Sequence, residues 1–266
     1  MKRTSILLGL GLIALVVAGC GGTTAEVGER ILVLGAAGTS FTRLSALNYA
    51  QVGSTVTISG LSGGESIETV DVRPSTGQLY GYSNLDNLYA INQITGVATL
   101  VGNAPTTGAV MDMDFNPVVD RIRISTTDGS NVRVHPDTGA LVATDTSFAY
   151  APADVNFGDA VNIAGMAYDR SVIGATQTTL YAVDGVQDTL CTVGGINGSP
   201  SPNSGELNTL GATTQNLAGD IGFDISGTTN IGYLMSGGAL YTVNLNNGTM
   251  TSVVGSVTAN DICVLP

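Results

Sequence analysis

Tryptophan is absent from this 266-residue chain, histidine occurs once, cysteine three times, and only 11% of the residues are charged. Each scarcity closes off a class of protein. Long helices need Lys, Glu and Leu at helical spacing, yet the single lysine is Lys2. The one histidine, His135, stands before Pro136 at a turn, and no serine-nucleophile motif accompanies it, so a Ser-His-Asp triad has no candidate. His135 reads instead as a solvent-facing turn residue. No grouping of cysteines with this histidine has zinc spacing.

What is present is glycine, 36 residues of it, between short β-branched segments. That suits many strands joined by tight turns. The clearest unit is Phe115 to Gly139, FNPVVDRIRISTTDGSNVRVHPDTG. VDRIRIS alternates apolar and polar residues, DGSN supplies a reversal, and NVRVH alternates again. In HPDTG, Pro136 presets its φ and Gly139 is free to take the left-handed conformation of a bulged turn.

Related groups run from Ile67 to Gly102, Val110 to Asp145, Ile163 to Gly211 and Leu217 to Gly255. Their aligned positions Val72, Phe115, Tyr168 and Phe223 recur at roughly 43 to 55 residues. Four strands at such a period predict an all-β fold, a β-propeller whose sheets bury their faces on one another around an axis. An initial group at residues 30 to 60 has only three strands, and the tail Ala259 to Pro266 reads as its missing inner strand. The expectation is therefore a five-bladed β-propeller closed by the C-terminal strand joining the N-terminal blade, leaving no open edge. Insertions fall at 146 to 162 and 194 to 210. An open β-sandwich or barrel is the competing arrangement of the same strands.

Three segments are expected: a signal peptide over 1–19, a flexible tether over 20–29 and a single propeller domain over 30–266. Lys2 and Arg3 precede an apolar run, Ile6 to Val17, too short for a comfortable membrane span, and Val17-Ala18-Gly19-Cys20 closes it. This resembles a bacterial lipoprotein signal with its lipobox, which implies that Cys20 is acylated, palmitate included, and anchors the mature chain. No Asp follows Cys20, so in a cell with two membranes the expected address is the outer one. Beyond the signal, seven arginines face 21 carboxylates, a net charge of −14. Such a body repels nucleic acid and anionic lipid, so the membrane is expected to be reached only through the anchor and the protein to be a monomer. Cys191 and Cys263 fall in non-adjacent repeats and are expected as buried free thiols.

The runs VDVRPSTGQLYGYS, DFNPVVDRIRIS and NVRVHPDTGALVATD are similar to the bacterial domain-of-unknown-function 4394 family, exported propeller-like domains, across nearly the whole mature chain. The resemblance implies the fold and no catalytic motif.

Two groups of side chains carry candidate chemistry. Aligning inner strands on Val72, Phe115, Tyr168, Phe223 and Val264 places Thr69, Asp112, Gly165, Asp220 and Asp261 in one column, and Asp71, Asp114, Ala167, Gly222 and Cys263 in another. If Asp112, Asp220 and Asp261 point into the channel, their repulsion favours a hard cation such as Ca²⁺. The competing reading has each carboxylate accept hydrogen bonds from a neighbouring blade or pair with an arginine, as Asp114 with Arg121 or Arg123. Arg121, Arg123 and Arg133 alternate on adjacent strands, a same-face spacing able to hold a carboxylate or sulfate, or to form ion pairs with Asp120 and Asp128. Asp154 to Asp159 is a partial calcium loop or a polar turn, and Tyr80, Tyr82, Tyr89, Tyr181, Tyr233 and Tyr241 are packing residues. The functional expectation is a lipid-anchored, non-enzymatic module displaying loops to an envelope protein or glycan. The alternative is a carboxylate- or metal-dependent hydrolase, lyase or lactonase working in the central channel.

Overall fold

A computed structural model describes residues 29–254 and 258–265; the expected signal segment and Cys20 lie outside them. Strands form where alternating stretches are cut by turn residues. Blade 1 begins with β1 (Arg30–Gly35), β2 (Ser40–Ser45) and β3 (Val56–Thr57). Blade 2 holds β4 (Ile67–Arg73), β5 (Gln78–Ser83), β6 (Asn87–Ile91) and β7 (Ala98–Asn103). Blade 3 holds β8 (Val110–Asn116), β9 (Arg121–Thr126), β10 (Asn131–Val134) and β11 (Leu141–Asp145). Blade 4 holds β12 (Ala149–Tyr150), β13 (Ile163–Tyr168), β14 (Leu180–Asp184), β15 (Thr189–Val193) and β16 (Glu206–Ala212). Blade 5 holds β17 (Gly222–Ile225), β18 (Gly232–Ser236), β19 (Ala239–Val243) and β20 (Met250–Val254). Finally β21 (Ala259–Leu265) returns to blade 1 as its innermost strand.

Five sheets result, antiparallel throughout except for one short pairing in blade 4, and their inner strands β21, β4, β8, β13 and β17 adjoin in turn to close a ring. The expected closure is present: Leu32 lies opposite Cys263 and Leu34 opposite Asp261, with Ile262 and Val264 between and beyond them. Every inner strand thereby has a sheet partner on its outer side and another blade across the axis. Blade 4 has a fifth strand, because β12 in the 146–162 insertion pairs parallel with β16. Two residues in a parallel pairing carry no alternation signal, so that segment reads as loop in the sequence. At the turn after β10, Gly139 has φ +64°, and a Cβ there would sit 2.6 Å from Gly102 Cα of blade 2. Only glycine satisfies both the conformation and the approach.

Strand alternation sends neighbouring side chains to the two faces of each blade, and apolar faces meet at four of the five junctions. Leu34 and Phe41 of blade 1 meet Ile67 and Val72 of blade 2. Tyr82 and Leu88 meet Phe115 and Ile124 of blade 3. Val183 and Leu190 of blade 4 meet Phe223 and Leu234 of blade 5, while Tyr233 and Met235 meet Ile31 and Ile262. The junction of blades 3 and 4 is different. Blade 4 offers Met166, Tyr168, Leu180 and Leu207, but blade 3 sends Arg123 and Asn131 across to Tyr168, Asn203 and Pro202.

Candidate functional site

Aspartates from four of the five inner strands line the axis, and each accepts a backbone N–H from the next blade. Val70 N–H donates to Asp261 at 2.8 Å and Phe115 N–H to Asp71 at 2.8 Å. Met166 N–H donates to Asp112 at 2.7 Å, Tyr168 N–H to Asp114 at 2.9 Å, and Val264 N–H to Asp224 at 2.6 Å. At four of the five junctions these bonds fix the angle between successive blades and satisfy amides that have no ladder partner at the axis.

The pattern of donors defines two tiers. One contains Thr69, Asp112, Gly165, Gly222 and Asp261; the other contains Asp71, Asp114, Ala167, Asp224 and Cys263. Asp220 belongs to neither: it precedes β17, is exposed, and sits with Glu68 and Asn260 in a recess at one end of the channel. The sequence alignment of blade 5 is two residues out of step. A two-residue slip keeps every side chain on its face, so periodicity cannot detect it. Asp112 and Asp261 do come together, through Thr69. The Thr69 hydroxyl lies 2.9 Å from Asp112 Oδ1 and 2.8 Å from Asp261 Oδ2, and it accepts Met113 N–H at 3.1 Å. A hydroxyl has one proton to give. Both carboxyl contacts are hydrogen bonds only when one of the two carboxyls is itself protonated.

In the second tier Asp71, Asp114 and Asp224 bring one oxygen each within 4.8 Å of one another. Burial, then the neighbouring carboxylates, pushes Asp71 and Asp114 well above the usual range. Burial likewise pushes Asp112 well above that range, with the Asp261 charge adding to it. It raises Asp224 and Asp261 to about 7, and their amide donors hold them down against it. Both oxygens of Asp71 and of Asp224 accept amides, the second in each case from the following residue, Val72 or Ile225. The belt thus combines convergence with amide saturation at Asp71 and Asp224, while Asp114 accepts one amide, from Tyr168.

The arginines occupy the rim. Arg133 and Arg123 face one another across β10 and β9. Arg123 is buried: Nε donates to the Tyr168 hydroxyl at 2.8 Å, Nη2 to Asn203 Oδ1 at 2.7 Å, and Nη1 to Asn131 and to Asp145. Arg133 grips Asp145 through two parallel bonds, at 2.7 and 2.8 Å. Asp145, from the far strand of the blade, is therefore the partner. Asp120 pairs instead with Arg73 of blade 2, and Asp128 accepts from Thr107, Thr126 and Ser130. Asp114 has no arginine partner among the described residues, since Arg123, opposite it in register, turns outward. Arg121 gives Nη1 to the Asp120 carbonyl at 2.7 Å. All three guanidiniums line a cavity of about 480 Å³ between blades 3 and 4, closed on the far side by the 197–203 insertion.

Other sequence candidates take structural places. Asp154 accepts Thr209 N–H at 2.6 Å and its hydroxyl at 2.9 Å, stitching the insertion to β16. The His135 imidazole accepts Asp137 N–H within its own turn. Tyr82, Tyr89 and Tyr233 are buried packing residues, and Cys191 and Cys263 are buried free thiols in different blades.

Five sheets radiating from a carboxylate-lined axis, with the ring closed by the chain's last strand, define a five-bladed β-propeller. Residues 40–264 match Domain of unknown function (DUF4394), and the chain belongs to that family. No functionally curated protein matches it. Among solved structures it is similar to a structural-genomics protein of unknown function from Bacteroides thetaiotaomicron, at 12% identity and TM-score 0.52 over 91% of this chain. The match spans 66% of that protein, just under two thirds. It is also similar, at 10% identity and TM-score 0.53, to a chain in a nidogen/laminin complex, covering 90% of this chain and 99% of the other. At these identities the likeness concerns the fold alone.

Proposed function

We propose that this propeller is a lipid-anchored module of the bacterial cell envelope that binds a protein or glycan without transforming it, at the outer membrane where two membranes exist. The observation supporting the reading is the division of labour within the ring. The carboxylates that would do chemistry are held by blade-to-blade amides, and the cavity that Asp71 and Asp224 line holds about 200 Å³, while the cavity at the rim, among loops and arginines, holds about 480 Å³. Arg121 and Arg133 are the residues that present positive charge to a ligand there, and Arg123 positions the wall. The anchor is Cys20, and the acidic body meets the membrane only through it. The module acts as a monomer.

Metabolic labelling with a palmitate analogue tests the anchor: the full chain takes up label and Cys20→Ser does not. Equal labelling of the two ends that part of the proposal. A glycan and peptide panel applied to the full chain tests the binding role, which is abandoned if no probe raises the melting temperature. A metal-dependent channel is favoured by the convergence of Asp71, Asp114 and Asp224 and by the cavity of about 200 Å³ that Asp71 and Asp224 line. Thermal melts separate it, because a rise in Tm at millimolar Ca²⁺ or Mg²⁺ supports the channel and an unchanged Tm supports the amide belt.

A further inference from the structure

We infer that the cavity between blades 3 and 4 takes one acidic sugar residue, its carboxylate on Arg121 and its hydroxyls on the amide side chains opposite. This deepens, and rests on, the binding-module reading above. Charge is the first ground. Three guanidiniums line the cavity and no carboxylate does, while the one acid held behind them, Asp145, is enclosed between Arg123 and Arg133. Those two arginines are already engaged. Arg121 forms no ion pair among the described residues and commits only Nη1, to backbone carbonyls. Its remaining N–H groups have the fork geometry that receives a carboxylate side-on.

The opposite wall supplies the second ground. Gln177, Asn197 and Asn203 contribute neutral amides to it. Asn203 turns its oxygen to Arg123, which leaves its NH₂ donors for a ligand. Such groups donate to and accept from ring hydroxyls, and Val118, Val119 and Val142 offer an apolar surface for a sugar's C–H face. Size and field complete the argument. A volume of about 480 Å³ suits one or two pyranose rings, and a chain of net charge −12 repels a polyanion while admitting a single negative group at a local positive site.

Calorimetry on the full chain decides it, with D-glucuronate, D-glucose and an acetylated tri-alanine carboxylate as probes. Glucuronate should bind at least about tenfold more tightly than glucose, the size of one charge-assisted contact. Arg121→Gln should erase that preference with Tm unchanged, and Asn197→Ala should weaken both sugars. Equal binding of the two sugars, or a preference that survives Arg121→Gln, overturns the assignment. Tri-alanine binding as tightly as glucuronate and depending on Arg121 replaces the sugar by a peptide carboxylate and leaves the binding-module reading standing. No Arg121-dependent binding of any probe removes the cavity from both proposals.

Discussion

Four junctions of this ring are built like the interior of any globular protein, and the fifth, between blades 3 and 4, is built like a surface that has been roofed over. At the apolar junctions, Tyr82 against Phe115 or Val183 against Phe223, closeness is enough, since burial is non-directional. At the polar one each buried donor must have a named acceptor, and Arg123 meets the requirement by reaching Tyr168, Asn131, Asp145 and Asn203 together. Directional bonds hold blades at a fixed separation without filling the space between them. A cavity persists there for that reason, and the 194–210 insertion forms part of its wall through Asn197, Ser201 and Asn203.

The largest way to break this contrast is Arg123→Ala. It leaves Asp145 and Asn131 buried with fewer donors, and urea unfolding should show a loss of about 3–5 kcal/mol. Ile124→Ala, one residue along on the apolar face, should cost about 2–4 kcal/mol. A leucine or methionine at 123 should not recover the loss, because Tyr168 and Asn203 would still lack their partner.

The pH dependence of stability comes next and concerns the axis. Burial raises Asp224 and Asp261 to about 7 in the folded ring, well above the ordinary carboxylate range of the unfolded chain. The folded state therefore binds more protons than the unfolded chain at pH values between the two. The stabilisation this brings is complete below the unfolded pKa and is lost as pH rises through about 7. Melting temperature should fall by about 5 °C or more between roughly pH 5 and pH 8, and Asp224→Asn should flatten the slope. A Tm that rises across that interval contradicts protonated axial carboxyls.

Gly165→Ala sharpens a second contrast. The junction of blades 4 and 5 has no aspartate donated by blade 4, whose tier positions are Gly165 and Ala167, and a Cβ at 165 would stand 2.7 Å from Phe223 Cβ. Close backbone approach replaces the carboxylate tie, and the substitution should cost about 1–3 kcal/mol in a thermal melt. Arg133→Gln should have the smallest effect, under about 1 kcal/mol, since Arg123 still holds Asp145 and Arg133 is partly exposed.

Much of this was legible in the residues alone. The turn chemistry of DGSN and HPDTG and the tail's inner-strand pattern specify blades and closure, because both are local or repeat exactly the same alternation elsewhere in the chain. The polar face of blade 3 is readable too: VDRIRIS puts Ile122 and Ile124 on one side and three polar residues on the other. What escaped is of two kinds. The blade 5 register slipped by two residues, which exchanged Asp224 for Asp220 in the axial set. The partner of the arginines, Asp145, lies on the outermost strand of blade 3, and no spacing rule distinguishes it from Asp120 or Asp128.

The pairing of β21 with β1 also settles how force would travel. A pull on residue 29 enters β1, which is hydrogen-bonded along one edge to β2 and along the other to β21, so two ladders must shear together before the first leaf comes apart. In a pentagon the side facing any one vertex is the one between the two most distant. Whatever grips the molecule at its first leaf therefore leaves the arginine-lined hollow outermost, on the diameter's other end.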